Sequence, residues 1–433
     1  MKQVIIICIV LFSCTTLFAK VIAPSLTGRA GGESYFSVKV TNPSSTLRKD
    51  VPVVIGLRRP TPIPLPSGRG EASAILSAQV TVSLPNGRGE GVGLLPSQLD
   101  DLDGDLIPDE LAFVADIPAH STCTFQVLCS AISSPKAYLP RTAAFMKVWD
   151  RKYRYPYINS IEYQGRNEPL ATYDAIYGHG AQWESELVGF RVYMDHRQSI
   201  DIYGKPTPQL VLDKTNFYST REDIANGLGC DILFAGASVG AGSFRGYLDG
   251  KPTYVDSVEA RGQRVIASGP VRAIVEVTDK NWLYHDKRLQ MRQLYTIYAG
   301  HRDVQVDIQL SGPDIDNETF CTGVQKIEMQ NEGFLEATGL AGSWGLNIPD
   351  KAAEDLVEGV GLGVYAPAPY LTAIQEDDLN YLTLLHPMNG HITYHLAICA
   401  LMEQNGFKDA QSWFSWLHQW KTELNQPCEI VIK

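Results

Sequence analysis

The chain reads as a mainly β protein: an antiparallel β-sandwich or supersandwich with a smaller N-terminal β-module and one C-terminal amphipathic helix. Three observations predict this. Short segments at 34–40, 188–193 and 304–310 carry apolar residues at every second position, the pattern of a strand with one buried face. These segments are closely spaced and broken by Gly, Pro, Asn and Asp, which favours hairpin-linked antiparallel sheets over βαβ units. Only near the end does the period change, where Trp413, Trp416, Leu417, Trp420 and Leu424 fall on one face of a helix.

Taken in order, the chain opens on Met1-Lys2-Gln3, an apolar run from Val4 to Phe12, and small residues ending Leu17-Phe18-Ala19. That sequence of regions is the pattern of a secretory signal peptide cut after Ala19, so residues 1–19 are read as a leader. The run is too short to span a bilayer, and no later segment is apolar enough to cross one. Leu11-Phe12-Ser13-Cys14 is an imperfect lipobox, but apolar residues continue past Cys14. The expected location is therefore periplasmic or extracellular after cleavage, in preference to a lipid-anchored form.

Residues 20–135 are expected to form the N-terminal β-module and 136–433 the supersandwich domain with its helix. Within the first, 59–68 is rich in Pro and Gly and reads as an extended loop. After the helix, Pro427 ends the period and 428–432 reads as a last strand. Six cysteines follow the leader. Cys123 and Cys129 share one face of a strand about 20 Å apart, too far to bridge each other. The wide spacing and lack of any CxxC give no zinc pattern; buried free thiols are expected.

The net charge is −11 and no Lys/Arg block appears. Nucleic acid as a partner is disfavoured, since it requires a basic footprint. An acidic protein can still hold an anionic sugar through a local cationic cluster. No Gly-rich nucleotide loop joins a strand to a helix, and no organic cofactor is expected. Gly236-Ala-Ser238-Val-Gly240 has the spacing of a nucleophile elbow but not its strand–turn–helix setting.

Two motifs carry chemistry. Asp101, Asp103, Asp105 and Asp109 stand at positions 1, 3, 5 and 9 of a calcium-loop pattern, and Ca²⁺ takes six to eight oxygens from such a turn. Position 6 is Leu106 rather than Gly and position 12 is Ala112 rather than Glu, so a structural Ca²⁺ site competes with a plain acidic turn. The second motif is 177–197, the best active-site candidate. His179, Glu184, Arg191 and Tyr193 supply the groups needed for proton transfer and carboxylate recognition. Trp183 offers a flat face for stacking, and Glu186 with Lys214 and Tyr218 from the next loop are candidate sugar-binding groups. Gly178 and Gly180 flank His179 and free the backbone to approach a ligand.

Four segments, 101–113, 181–193, 269–276 and the Trp-rich helix with its strand, resemble in that order the exported bacterial family of domain of unknown function 4861. The resemblance covers nearly the whole mature chain. It implies a carbohydrate-degradation setting and a galactose-mutarotase-like supersandwich, and transfers no catalytic residue. Leu106 departs from the family's Asp-x-Asp-Gly-Asp-Gly loop at its last position. The expectation is a secreted protein that cleaves or remodels a uronic-acid-containing poly- or oligosaccharide, as a lyase or a glycosidase. The alternative is a non-catalytic glycan-binding protein of a polysaccharide-utilisation system.

Overall fold

The structure, a computed structural model, describes residues 21–22, 33–57, 75–86, 89–133, 137–152, 154, 156–164, 174–349 and 356–433. The expected leader and the Pro-rich segment 59–68 lie outside the described residues. Strand makes up 53% of the described residues and helix 9%, so the protein is mainly β, as the alternation predicts.

Two sheets form near the N-terminus. The alternating run at 34–40 becomes the strand Glu33–Thr41, which buries Phe36, Val38 and Val40. It pairs antiparallel with Thr122–Ser130 on one side and with the last strand, Glu429–Ile432, on the other. Ser77–Asn86 and Gly89–Leu95 complete this five-stranded sheet. The four-stranded sheet facing it is built on Arg48–Gly56 and Glu110–Ile117. Val53, Ile55, Leu111 and Phe113 meet Val38, Phe125 and Val127 in one core. The closing strand thus follows the C-terminal helix in sequence but extends the N-terminal sheet. Cys123, Cys129, Cys230, Cys321, Cys399 and Cys428 are free thiols.

The larger part is a two-layer sandwich. One layer is a nine-stranded sheet whose centre is Arg272–Tyr284, Lys287–Tyr298, Asp303–Ser311 and His391–Ala400. The other layer is a six-stranded sheet, Thr142–Lys147 through Cys230–Asp231, beside a five-stranded sheet centred on Phe320–Gln325. A single core joins them, drawing Trp183, Phe190 and Ile202 from the six-stranded sheet. Val275, Tyr295 and Val306 come from the nine-stranded sheet, and Phe320 and Leu385 from the five-stranded one.

The helix Ala410–Asn425 starts at Asp409, whose carboxylate caps it by accepting from the Ser412 N–H at 2.7 Å. Its Trp413, Leu417 and Trp420 pack on Leu340, Tyr365 and Cys399, the outer face of the nine-stranded sheet. The strand Glu358–Tyr365 makes room for it: a Cβ on Gly361 would lie 2.9 Å from Trp413, and one on Gly363 2.3 Å from Leu417. The tryptophans stack on one another, Trp413 on Trp416 at 5.0 Å and Trp416 on Trp420 at 5.8 Å. Trp413 and Trp420 are packing groups in the core beneath the helix, and Trp416 packs half-buried beside them.

Two polar joints fasten the N-terminal sheets to the sandwich. Arg272 is buried between Asp100 and Glu110, at 2.7 Å from each. Arg141 pairs with Asp50 and with Glu186, each at 2.6 Å, while the His301 ring bridges the Asp50 carbonyl at 2.9 Å and the Asp303 carboxylate at 3.0 Å. Burial works against a charged ring at His301, but the Asp303 carboxylate and its hydrogen bond, with Asp50 behind them, outweigh it and raise the ring from 6.5 to about 9. The folded value stands above the unfolded one. The protonated ring therefore stabilises the fold fully below pH 6.5, and that stabilisation is lost as pH rises through about 9. Urea unfolding measured in steps between these pH values should show stability falling, and His301→Gln should flatten the fall; equal slopes for both proteins would contradict the joint.

Candidate functional site

The six-stranded sheet has an inner and an outer face, and strand alternation decides which residues reach each. Gly180–Ser185 pairs with Gly189–Tyr193, which pairs with Ile200–Gly204. The registers Gln182↔Arg191 and Arg191↔Asp201 line up a polar row across three strands. Ala181, Trp183, Phe190, Val192, Ile200 and Ile202 point the other way, into the core. Two residues along the outer face from Asp201 is Tyr203, which lies opposite Asp231 on the edge strand Cys230–Asp231. The connection that follows Gly204 covers part of this face, with the short helices Leu212–Thr215 and Arg221–Ala225. Phe217 from it packs with Phe145, Tyr203, Val211 and Leu212.

Arg191 is at the centre. Its guanidinium is 1% exposed, forms an ion pair with Asp201, and donates from Nη2 to the Tyr193 hydroxyl at 3.1 Å. The rings of Phe217, Tyr193 and Tyr218 lie 4.3, 4.8 and 4.9 Å from it, within cation–π range. Burial opposes its charge, but Asp201, Tyr193, Tyr218 and Asp231 outweigh that and raise it above its ordinary value. Among the described residues its Nε and Nη1 are buried and make no hydrogen bond. His179 reaches the same place, stacked on Tyr193 at 6.2 Å and edge-on to Tyr218 at 6.1 Å. Its φ of +62° is unusual for a residue other than glycine, and such strain often gathers at functional positions. Tyr218 is 49% exposed, so the cluster opens to solvent there.

Asp231 completes the cluster. Burial and then the neighbouring Asp201 carboxylate raise its carboxyl well above the usual range, against the pull of Arg191 and the backbone N–H groups of Leu233 and Ile232. Asp231 therefore keeps its proton more readily than a free Asp, beside the ion pair of Arg191 and Asp201. Opposed environments of this kind mark candidate acid–base sites.

The structure thus brings together His179, Arg191, Tyr193 and Tyr218. It does not bring Trp183, Glu184, Glu186 or Lys214 to them. Trp183 is wholly buried between Phe190 and Tyr295, at 5.6 and 5.2 Å, and presents no face to a sugar. Glu184 is 1% exposed and pairs with Lys205 at 2.5 Å, while the Val211 and Leu212 N–H groups donate to its oxygens. Glu186 is a clamp between modules, bound by Arg141 and by the Gly300 N–H at 3.1 Å. Lys214 is exposed on the helix Leu212–Thr215. The glycine beside His179 also has a different use: a Cβ on Gly180 would stand 1.9 Å from the Val192 carbonyl of the neighbouring strand, so close strand packing demands it. Asp201 and Asp231 were missed by motif reading. Asp201 carried a signal, as the one polar position between Ile200 and Ile202, in phase with Arg191.

The acidic loop lies elsewhere. One carboxylate oxygen each of Asp101, Asp103 and Asp109 lie within 4.8 Å of one another. Asp101 accepts from the Gly104 and Leu106 N–H groups, both at 2.7 Å, and Asp105 from Ile107 at 2.9 Å. Asp105 is not among the three convergent carboxylates. Leu106 takes a left-handed φ of +69° where glycine would be unstrained, and its side chain is 87% exposed. Arg264 Nη2 holds the loop by donating to the Leu102 carbonyl at 2.8 Å.

The sequence profile of the family described as Domain of unknown function (DUF4861) matches residues 40–430. The chain belongs to this family. No curated protein matches it. Among solved structures it is similar to a protein in the glycosyl hydrolase family 38 from Enterococcus faecalis, with 9% identity over 96% of this chain and 49% of that one, at a TM-score of 0.47. It is also similar to an α-mannosidase from Enterococcus faecalis V583, with 10% identity over 95% and 47% and a TM-score of 0.43. This member of the family spans about half the length of each.

Lys205 shows how the outer face is held. Burial lowers its ammonium from the ordinary lysine value and Glu184 opposes the shift. Lys205→Met would leave the Glu184 carboxylate buried without its cation, a change that costs about 3–5 kcal/mol in comparable pairs. Urea unfolding should show a loss of that order, and a loss below about 1 kcal/mol would mean the pair is dispensable.

Proposed function

We propose that this protein acts on a carbohydrate by cleaving an acidic glycan through β-elimination at the patch formed by His179, Arg191, Tyr193, Tyr218, Asp201 and Asp231. The observation that carries the reading is Arg191: a buried guanidinium with two nitrogens, Nε and Nη1, that make no hydrogen bond among the described residues, under aromatic rings and beside the Asp231 carboxyl, whose hold on its proton burial strengthens. A guanidinium nitrogen short of an acceptor suits an oxygen of a sugar carboxylate. In the elimination, Tyr193 or His179 takes the proton α to that carboxylate, and Arg191 neutralises the charge that develops. Asp231 gives its proton to the departing glycosidic oxygen as the C–O bond breaks and the ring gains a double bond. Tyr218 supplies a partly exposed face for stacking. Hydrolysis by two carboxylates fits less well, because Asp201 is committed to Arg191 and Glu184 to Lys205.

We further propose that the loop of Asp101, Asp103 and Asp109 holds a structural Ca²⁺, with Asp105 and the Ile107 carbonyl available to complete the shell. Secretion with removal of residues 1–19 fits both the substrate and a calcium-rich compartment.

A panel of uronate-containing and neutral glycans should be digested while both unsaturated-sugar absorbance and new reducing ends are recorded. Absorbance rising in step with reducing ends supports elimination, and reducing ends without absorbance would show a glycosidase. Asp231→Asn should lower turnover by roughly 10²–10⁴-fold, the range expected for loss of a general acid, with an unchanged melting curve. Saturable binding without any product would instead make this a glycan-binding protein. For the loop, a chelator should lower the melting temperature, and Asp103→Ala should remove that effect. Superimposable curves with and without chelator would show that the loop is a plain turn.

A further inference from the structure

A second cluster lies on the inner side of the same sheet, beneath the turn that joins Gly189–Tyr193 to Ile200–Gly204. This turn carries Asp195, His196, Arg197, Gln198 and Ser199. It is tied to the nine-stranded sheet by a buried polar chain. Arg261 Nε donates to Asp279 at 2.7 Å, Gln198 donates to the same carboxylate at 2.6 Å, and Gln293 donates to Gln198 at 2.7 Å. Arg245 is 1% exposed and donates to the Phe244 carbonyl and to Ser199 Oγ, both at 3.0 Å. Among the described residues it has no carboxylate partner. Tyr254 joins the groups together: its ring lies 5.2 Å from the Arg245 guanidinium and 5.3 Å from the His196 ring, and Arg261 donates to the carbonyl of the adjacent Val255.

Three polar features are left open here. Arg245 has no counter-charge. Among the described residues Arg261 Nη1, on a side chain 1% exposed, makes no direct hydrogen bond, although the Tyr163 hydroxyl interacts with that guanidinium, and His196 Nδ1 makes none either. His196 and Tyr254 are only half-buried, so the cluster lies just beneath the surface at their edge-to-face contact. A buried cation without an anion is costly. Desolvation also lowers Arg245 from its ordinary value. A ligand that brings one negative charge and two or more acceptor oxygens would meet all three needs at once.

We propose that Arg245, Arg261, His196 and Tyr254 form a binding site for a carboxylate-bearing sugar, a uronate, separate from the patch around Arg191. The charge balance selects the class. Arg261 is paired with Asp279 and Arg197 with Asp195, and the half-buried Asp256 carboxylate acts on His196, so Arg245 is the cation of the cluster left without a paired carboxylate among the described residues. A monoanion matches that, while a phosphate dianion would leave excess negative charge in a desolvated place. The Tyr254 and His196 rings, in edge-to-face contact, lie over the cations and give a sugar ring an apolar edge to rest on.

The test is an NMR titration of the intact protein that follows the His196 ring resonances, assigned by comparison with His196→Gln. Glucuronate should shift them saturably, and glucose at the same concentration should not. Arg245→Gln should weaken the glucuronate effect at least tenfold, whereas Asp231→Asn should leave it unchanged, so this result stands or falls apart from the activity proposed above. If Arg245→Gln does not fold, Tyr254→Ala, at a partly exposed position, should weaken binding in its place. No saturable shift with glucuronate would overturn the proposal, as would a shift that persists in a folded Arg245→Gln. Inorganic phosphate binding in preference to glucuronate would overturn the assignment to a carboxylate.

Discussion

A sheet covered on both faces has to place each charge it carries against a partner, because an unpaired charge in a poorly solvated place costs several kcal/mol. The six-stranded sheet is covered in this way. Its inner face packs Trp183, Phe190 and Ile202 into the sandwich core, and its outer face lies in part under Val211, Leu212 and Phe217. The consequences run through the whole region. Glu184 is met by Lys205 and by two backbone N–H groups at the start of the helix Leu212–Thr215. Arg191 is met by Asp201 directly across the strand pair. The pairing fixes the path of the chain after Gly204, and that path brings Tyr218 over Arg191.

The same rule explains which part of the architecture was legible in the sequence. Period-two alternation marks a strand with one apolar face, and Glu33–Thr41, Gly189–Tyr193 and Asp303–Ser311 all follow it. The helix was legible because its apolar residues keep helical spacing and Asp409 stands at its cap. The pairing of Glu429–Ile432 with Glu33–Thr41 was not legible. A strand's own residues state which face is buried but not which edge, hundreds of residues away, will accept it.

The site was half legible for a related reason. Arg191 and Tyr193 stand two apart in a strand and must share a face, and His179 joins them because Gly180 lies across from Tyr193. What a single segment cannot state is its partner. Glu184, Glu186 and Arg191 sit within a few residues of one another, so they looked like one constellation. Their ion pairs reach instead to Lys205, Arg141 and Asp201. Trp183 misled for a simpler reason. It alternates with Gln182 and Glu184, and the polar neighbours point outward, so the indole has to point inward.

The groups that remain unsatisfied are therefore more informative than those that are paired. Lys205, Arg272 and Arg261 are buried cations to which this fold gives a carboxylate. Among the described residues Arg191 nevertheless keeps two nitrogens without an acceptor, and Arg245 is buried without a paired carboxylate. Each unmade hydrogen bond of a buried group costs about 1–3 kcal/mol, and an apolar side chain of similar volume would avoid that cost. Tyr218, His179, Tyr254 and His196 are at least partly exposed beside them, so both cations lie just behind the surface. A cation held in that position, short of acceptors and next to an aromatic entrance, is organised for an anion that arrives from outside the chain.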